Sequence, residues 1–512
     1  MSEIVEARCY DSDAPYLSAS VSFGLPVEEC LAGCGACRNG AAPLYVVTLP
    51  AESAHGLMYS KILLIIVLSG LYSGNYPGQS KSSSASIDSY IQPYVRTGNF
   101  SGVVLVEKDG KTVFHRAYGF ADREKGIRND DETQFHIASI SMQFTAATVL
   151  RLVDHGVLRL DDHVGEYVPG IEGADKITIR DLLVERSGLP DINASPDYDE
   201  VLQHHQTAAS LVAKIQGKPL QFDPGTKFVH EEHSAYNLLA LIVEKKTGMP
   251  FAKAMQRLVF EPFGLTHSGV DDDSDELLQM AKGYGPEGTY DVKPARAIHW
   301  SGKTGNASAF TTASDEALWV RELFRGEKLK ANSREAVLDT STRVGYGWMR
   351  GKNERFGATA YSMNGRAPGF ASFVLYLPGS ETTVVVLSNI YSSATTVIGY
   401  DIAAIALGLS YETLRLPMRA PRAEELTNVT ADFQFGADFY QPNARISVKR
   451  EGEEVFLCWP SGDRSALIPL ERDHFVDRSY WERVSIERDE TGKAAMLVYG
   501  QFRGRASSPA QD

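Results

Sequence analysis

Ser139-Ile140-Ser141-Met142 marks the part of this chain whose residue types come nearest to covalent chemistry. A serine hydroxyl at the head of a helix can attack an acyl carbon, provided a neighbouring base takes its proton. One turn later, on the same helix face, a base would be well placed, and there the chain carries Met142. A thioether is uncharged and far too weak a base to take a proton at neutral pH. The alcohol is therefore present while the activator at this spacing is missing. Serine at a helix start also has a purely structural use, as an N-cap.

Other residues with chemical potential are less complete. His230-Glu231-Glu232-His233 sets two histidines three apart, with His204 and His205 as further imidazoles. The zincin pattern needs histidines four apart on one helix, so no metal is expected here. Cys30, Cys34 and Cys37 have the spacing that holds three irons of a cluster in radical enzymes. No α/β-barrel pattern follows them, and they are read instead as part of an N-terminal extension. There is no phosphate-binding glycine loop or dinucleotide fingerprint, and no cofactor is expected. A formal net charge of −14 argues against nucleic acid or an anionic membrane as partner.

A chain of 512 residues is long enough for two or three domains. Residues 1–57 show no sustained helical or strand period and are expected to form a poorly ordered extension. Met58-Tyr-Ser-Lys61 followed by Ile62–Leu68 looks like a basic head and apolar core of an export signal. If translation starts near Met58, the protein is exported, periplasmic or extracellular; the apolar run is too short to span a bilayer. Ser80 to Ser86 reads as a flexible linker, completing a segment over 58–86.

From Ile87 to about Glu412 the patterning is regular. Phe100–Glu107 and Lys111–Tyr118 flank Asp109-Gly110, a hairpin signal of the type I′ class. A helix opens near Ser141, with Phe144, Val149, Leu150 and Val153 at helical spacing, and ends around Gly156. Phe373–Asn389 is a second hairpin turning at Pro378-Gly379, and Ala394–Leu409 suits a closing helix. Strands at both ends with helices between them predict an α+β fold, an antiparallel sheet flanked by helices. Over 425–510, short alternating strands (Ala444–Lys449, Glu454–Trp459, Trp481–Glu487, Ala495–Tyr499) predict an all-β accessory domain, a meander or barrel.

Several segments of the middle region resemble the beta-lactamase-related serine hydrolases, which include class C beta-lactamases, penicillin-binding proteins and D-aminopeptidases. They are Asp161–Gly170, Ile177–Pro190, Pro224–Phe228, Tyr236–Ile242, Phe260–Thr266 and Tyr346-Gly-Trp348. The C-terminal strands are similar to the lipocalin-like barrel that some of these enzymes append. The resemblance implies that Ser139 is the nucleophile and that Met142 replaces the family's lysine. In the second motif it sets His230 at the tyrosine position and Glu232 at the asparagine position. One extra residue before Tyr236 leaves a second register open. In the third motif, Tyr361-Ser-Met-Asn-Gly365 has Met363 in place of histidine, and Gly365 with Arg366 forms the strand lining the oxyanion hole. The backbone N–H groups of Ser139 and Arg366 would be the donors. Lys303-Thr304-Gly305 spells the usual third motif but lies about sixty residues too early to be used as such.

Two expectations follow from this resemblance. One is a serine hydrolase of an amide or ester in which His230, oriented by Glu231 or Glu232, takes the place of tyrosine and lysine together. The other is a pseudoenzyme that binds a small molecule or peptide in the old cleft.

Overall fold

In the computed structural model, residues 83–228, 233–273, 279–413, 416 and 428–507 are described, along with the backbone of 4–8 and 18–22. The chain separates into two units, Met1–Gly78 and Gln79–Asp512. Of the first, an antiparallel pair is seen, Ile4–Arg8 with Ser18–Ser22, an element that sequence patterning did not suggest. The cysteine group and the signal-like run after Met58 lie outside the described residues.

The second unit begins with helix α1 (Ser83–Arg96). The serine run expected to be linker through Ser86 is thus, from Ser83, the first turn of a helix. The cause is the stripe that follows it. Ile87, Tyr90, Ile91 and Tyr94 recur at helical spacing and are all buried, so packing carries the weak helix formers ahead of them.

The core sheet has seven strands, β1 (Gly102–Lys108), β2 (Lys111–Tyr118), β3 (Val344–Gly345), β4 (Trp348–Asn353), β5 (Ala358–Ala367), β6 (Phe370–Leu377) and β7 (Thr382–Ser388). Their order across the sheet is β3-β4-β5-β6-β7-β1-β2, every pairing antiparallel. Asp109 and Gly110 take φ of 51° and 71°, as a type I′ turn requires, because only such a turn matches the twist of both strands.

Side chains alternate between the two faces of this sheet. Met363, Val374, Tyr376 and Val385 face a cluster that also contains helices α2 (Ser141–Asp154), α3 (His233–Thr247) and α4 (Ala313–Arg325). Phe373, Leu375, Val384 and Val386 face α1 and helix α5 (Thr395–Leu407). Helix α2 is buried on nearly every side rather than along one stripe. Several of its polar groups are tied to neighbouring elements: Thr145 Oγ1 donates to Gly305 O at 2.6 Å, and Trp319 Nε1 donates to Gln143 Oε1 at 3.0 Å.

Residues 431–506 close into a barrel of eight strands: β8 (Ala431–Gln434), β9 (Arg445–Glu451), β10 (Glu454–Cys458), β11 (Arg464–Glu471), β12 (His474–Asp477), β13 (Arg483–Arg488), β14 (Ala494–Tyr499) and β15 (Phe502–Ala506). The expected α+β core with an all-β C-terminal barrel is therefore the architecture observed. The barrel docks through the turn after β12. Arg478, fully buried, donates from Nε to Asn99 Oδ1 at 2.9 Å and from Nη1 to the carbonyl oxygens of Glu287 and Gly288 at 3.1 and 2.5 Å. Trp481 Nε1 donates to Ser392 O at 2.5 Å, and its ring lies 5.4 Å from that of Tyr94. Among the described residues no helix is long and apolar enough to cross a membrane.

Glu316 on α4 is fully buried, and neither carboxyl oxygen has a partner among the described residues. Burial, with Asp315 beside it, raises its pKa from 4.5 to about 8. The folded state thus favours the protonated acid, a contribution present at acid pH and lost as pH rises through that interval. Glu316→Gln should raise the melting temperature by several degrees at about pH 9 and change it little at about pH 4. Calorimetry across this range checks the sign; an unchanged or lowered melting temperature at the alkaline end would contradict it.

Candidate active site

Ser139 lies in a short 3-10 turn, Ala138–Ile140, that runs directly into α2. Neither the turn nor the helix has a side-chain cap, so the capping role open to Ser139 on sequence grounds is not the one it plays. The turn is instead held from outside. Ile137 N donates to Ala309 O at 3.1 Å, and Ser372 Oγ donates to Ile137 O at 2.7 Å. Ala309 N in turn donates to Ser141 Oγ at 3.0 Å. Between these clamps Ala138 is forced to φ 49°, the left-handed region that costs a non-glycine residue roughly 1–2 kcal/mol. Strain of this kind, imposed by surrounding bonds one residue before a candidate nucleophile, is characteristic of functional turns.

Gly365 makes the close approach possible. A Cβ at this position would lie 2.1 Å from Ile137 O and 3.1 Å from Ala138 Cβ. The absence of a side chain brings β5 against the serine turn and sets Arg366 beside it. Asn364 and Arg366 face the same cleft as Ser139, a space of about 540 Å³ also lined by Asn193, His233, Tyr391 and Tyr480. Met142 and Met363 do not reach it. They are 0% and 1% exposed and belong to the apolar cluster between the sheet and α2, which explains how the fold tolerates thioethers there.

His230 and Glu232 lie outside the described residues. His233, at the start of α3, does line the cleft, and its Nδ1 is 3.3 Å from both carboxyl oxygens of Asp191. Asp191 is itself fixed as the cap of the short helix Ile192–Ala194, accepting from Asn193 N at 3.0 Å. Ser234 ties the two segments together, accepting from Ile192 N at 2.8 Å and donating to Pro190 O at 2.8 Å. Because a carboxylate only accepts, this contact calls for a proton on the imidazole Nδ1.

Counting back from the α3 residues Tyr236-Asn-Leu-Leu, rather than forward from Phe228, is the second of the two registers, and it puts His233 at the asparagine position. That signal was available in the sequence. The pairing with Asp191 was not, since it joins residues far apart in the chain. Asn193 was missed as well; its Oδ1 is buried without a partner among the described residues at the cleft wall, an acceptor suited to a substrate N–H.

Other candidate bases are accounted for elsewhere. Lys303 ends the 3-10 helix Trp300–Lys303, not a sheet strand, and donates to Tyr198 OH at 3.0 Å. Burial, reinforced by Arg296, pulls its pKa down to about 8. Tyr236 OH donates to Leu183 O at 3.3 Å deep in the core. His205 pairs with Asp273 at 3.4 Å and not with His233.

The beta-lactamase family model matches residues 87–407, well over half of the chain. The chain belongs to the beta-lactamase family. Among its relatives is protein Flp of Staphylococcus aureus (strain MRSA252), 27% identical over 60% of this chain and 63% of that protein. The chain thus spans somewhat less than two thirds of the length of this relative. A penicillin-binding protein from Bacillus halodurans is similar in structure, with a TM-score of 0.56 and 26% identity over 63% of this chain and 98% of the other. The octameric penicillin-binding protein homologue from Pyrococcus abyssi has a TM-score of 0.58 at 21% identity and covers 82% of this chain and 99% of its own. That coverage extends beyond the family domain, and the likeness is one of fold.

For this family member the approach of Gly365 to the serine turn gives a direct test. Gly365→Ala should lower the rate of Ser139 modification by a fluorophosphonate about a hundredfold, since ångström displacements of reacting groups cost that much. Gly379→Ala, at a position where an added Cβ meets nothing, is the control and should behave as the parent. Equal rates for the two variants would show that the close approach is irrelevant to the site.

Proposed function

We propose that this protein is an acyl-serine hydrolase whose base is a histidine instead of the family's lysine and tyrosine. Ser139 attacks the acyl carbon of an amide or ester. His233, held by Asp191, takes the hydroxyl proton and returns it to the leaving group. The backbone N–H groups of Ser139 and Arg366 receive the developing oxyanion. Water then repeats the sequence on the acyl-serine. The observation that carries this reading is that His233, which lines the same cleft as Ser139, is paired through Nδ1 with Asp191. Family membership supports a D-amino-acid peptide, a peptidoglycan fragment or a small ester as substrate, and export as the setting in which such substrates are met. His230 and Glu232 remain the alternative base and its partner in this scheme.

A second reading is favoured by Met142 and Met363, which bury two family motif positions in apolar core. Under it the cleft binds a ligand without acylation. Intact mass after incubation with activated esters and penicillins separates the two. We expect an acyl adduct on the parent chain, none on Ser139→Ala, and acylation slowed by about 10²–10⁴ in His233→Ala and Asp191→Asn. His230→Ala should acylate as the parent does. Loss confined to His230→Ala would transfer the base to that residue, and reversible binding without any adduct would establish the second reading.

A further inference from the structure

A second cavity, of about 640 Å³, opens between the mouth of the barrel and the core, and Tyr391 and Tyr480 line both it and the serine cleft. The partition between the two chambers is thin. The Arg366 guanidinium lies 5.7 Å from the ring of Tyr391 and 5.7 Å from that of Tyr480, and it donates to Ser479 O. Arg366 therefore has one end on the strand beside Ser139 and the other against Tyr391, Ser479 and Tyr480, which line the barrel-side cavity.

The walls of that cavity are aromatic and partly exposed. Tyr440 and Tyr480 are 64% and 59% exposed, although most large apolar side chains of the described residues are buried. Around them Trp459 meets Tyr480 edge-on at 6.3 Å and Tyr499 edge-on at 5.7 Å, while Tyr440 meets Phe502 at 4.8 Å. These rings are braced by one another and stay open to the cavity. Buried indole and phenol groups normally find hydrogen-bond partners. Tyr499 does, donating to Asp477 Oδ2 at 2.8 Å, and Trp481 does, but Trp459 Nε1 is buried with no partner among the described residues. Asp463 and Glu482 also line the cavity, and Arg464 is engaged by Glu451 at 2.8 Å and by the ring of Phe456 at 4.2 Å. The charge balance therefore disfavours an anion.

We infer that this cavity is a subsite for an aromatic ring, neutral or cationic, carried by the substrate at a distance from its scissile bond and packed among Tyr440, Trp459 and Tyr480. The bond-breaking half rests on the reading of Ser139 given above, whereas ring binding does not. The shared walls argue for one extended substrate lying across both chambers, over the barrel turn that carries Tyr480.

The test uses the full chain with Ser139→Ala and follows the indole N–H resonances of its five tryptophans, with Trp459 assigned by Trp459→Phe. N-acetylphenylalaninamide should shift the Trp459 resonance, and N-acetylalaninamide at equal concentration should not. Tyr440→Ala should weaken the response at least fivefold while the other four resonances keep their positions. In the chain with Ser139 intact, Tyr440→Ala should lower kcat/KM for a phenyl-bearing ester about tenfold, an effect of the size expected for one lost aromatic contact, and leave the methyl analogue unchanged. Equal shifts with both amides, or none at Trp459, would overturn the inference. A Trp459 shift in a chain that never acylates would uphold the subsite and remove only the hydrolytic reading.

Discussion

Everything about the site depends on the Ile137 carbonyl, which is gripped by Ser372 on β6 and overlain by Gly365 on β5. This single peptide oxygen joins the sheet to the turn that presents Ser139. It holds Ala138 in a left-handed conformation that the residue would not adopt unaided, and it fixes the strand carrying Arg366 against the head of α2. Burial of α2 on nearly all sides lets the strain persist, because the helix has no direction in which to relax.

The same rigidity explains why the family's lysine could go without loss of the scaffold. A buried ammonium needs partners to offset desolvation, and Met142 needs only volume. The cleft keeps a polar lining through residues from other elements: Asn193 and His233 from the helical side, Asn364 and Arg366 from the sheet. A histidine needs no neighbouring cation to work at neutral pH, whereas a tyrosine does. A methionine at position 142 and the proposed His233–Asp191 base are chemically compatible.

Much of the fold was legible because local rules and tertiary packing agree. Asp109-Gly110 signals a hairpin that needs positive φ twice, and Phe144, Val149, Leu150 and Val153 recur at the spacing of the helix observed as α2. The barrel was only half legible. Strand β11 contains Pro469, which reads as a strand breaker but sits beside a register shift, where a ladder bond is dispensable. Strand β15 reads Phe-Arg-Gly-Arg-Ala and has too little apolar character to stand out. At the site, the family context around Ser139 and Met142 was legible. The proposed base was not, because one extra residue before α3 shifts the register and its carboxylate partner comes from a separate loop. Lys303-Thr304-Gly305 was a chance spelling, placed on a 3-10 turn and bound to Tyr198.

The most direct measurement is the structure of the adduct formed with a fluorophosphonate. On this account the phosphorus is bonded to Ser139 Oγ, its free oxygen is held by the N–H groups of Ser139 and Arg366, and His233 Nε2 faces the bridging oxygen with Asp191 behind it. An adduct with His233 turned away and another residue in its place would contradict the assignment of the base. Failure of Ser139 to react while the cleft fills with intact reagent would contradict the account as a whole.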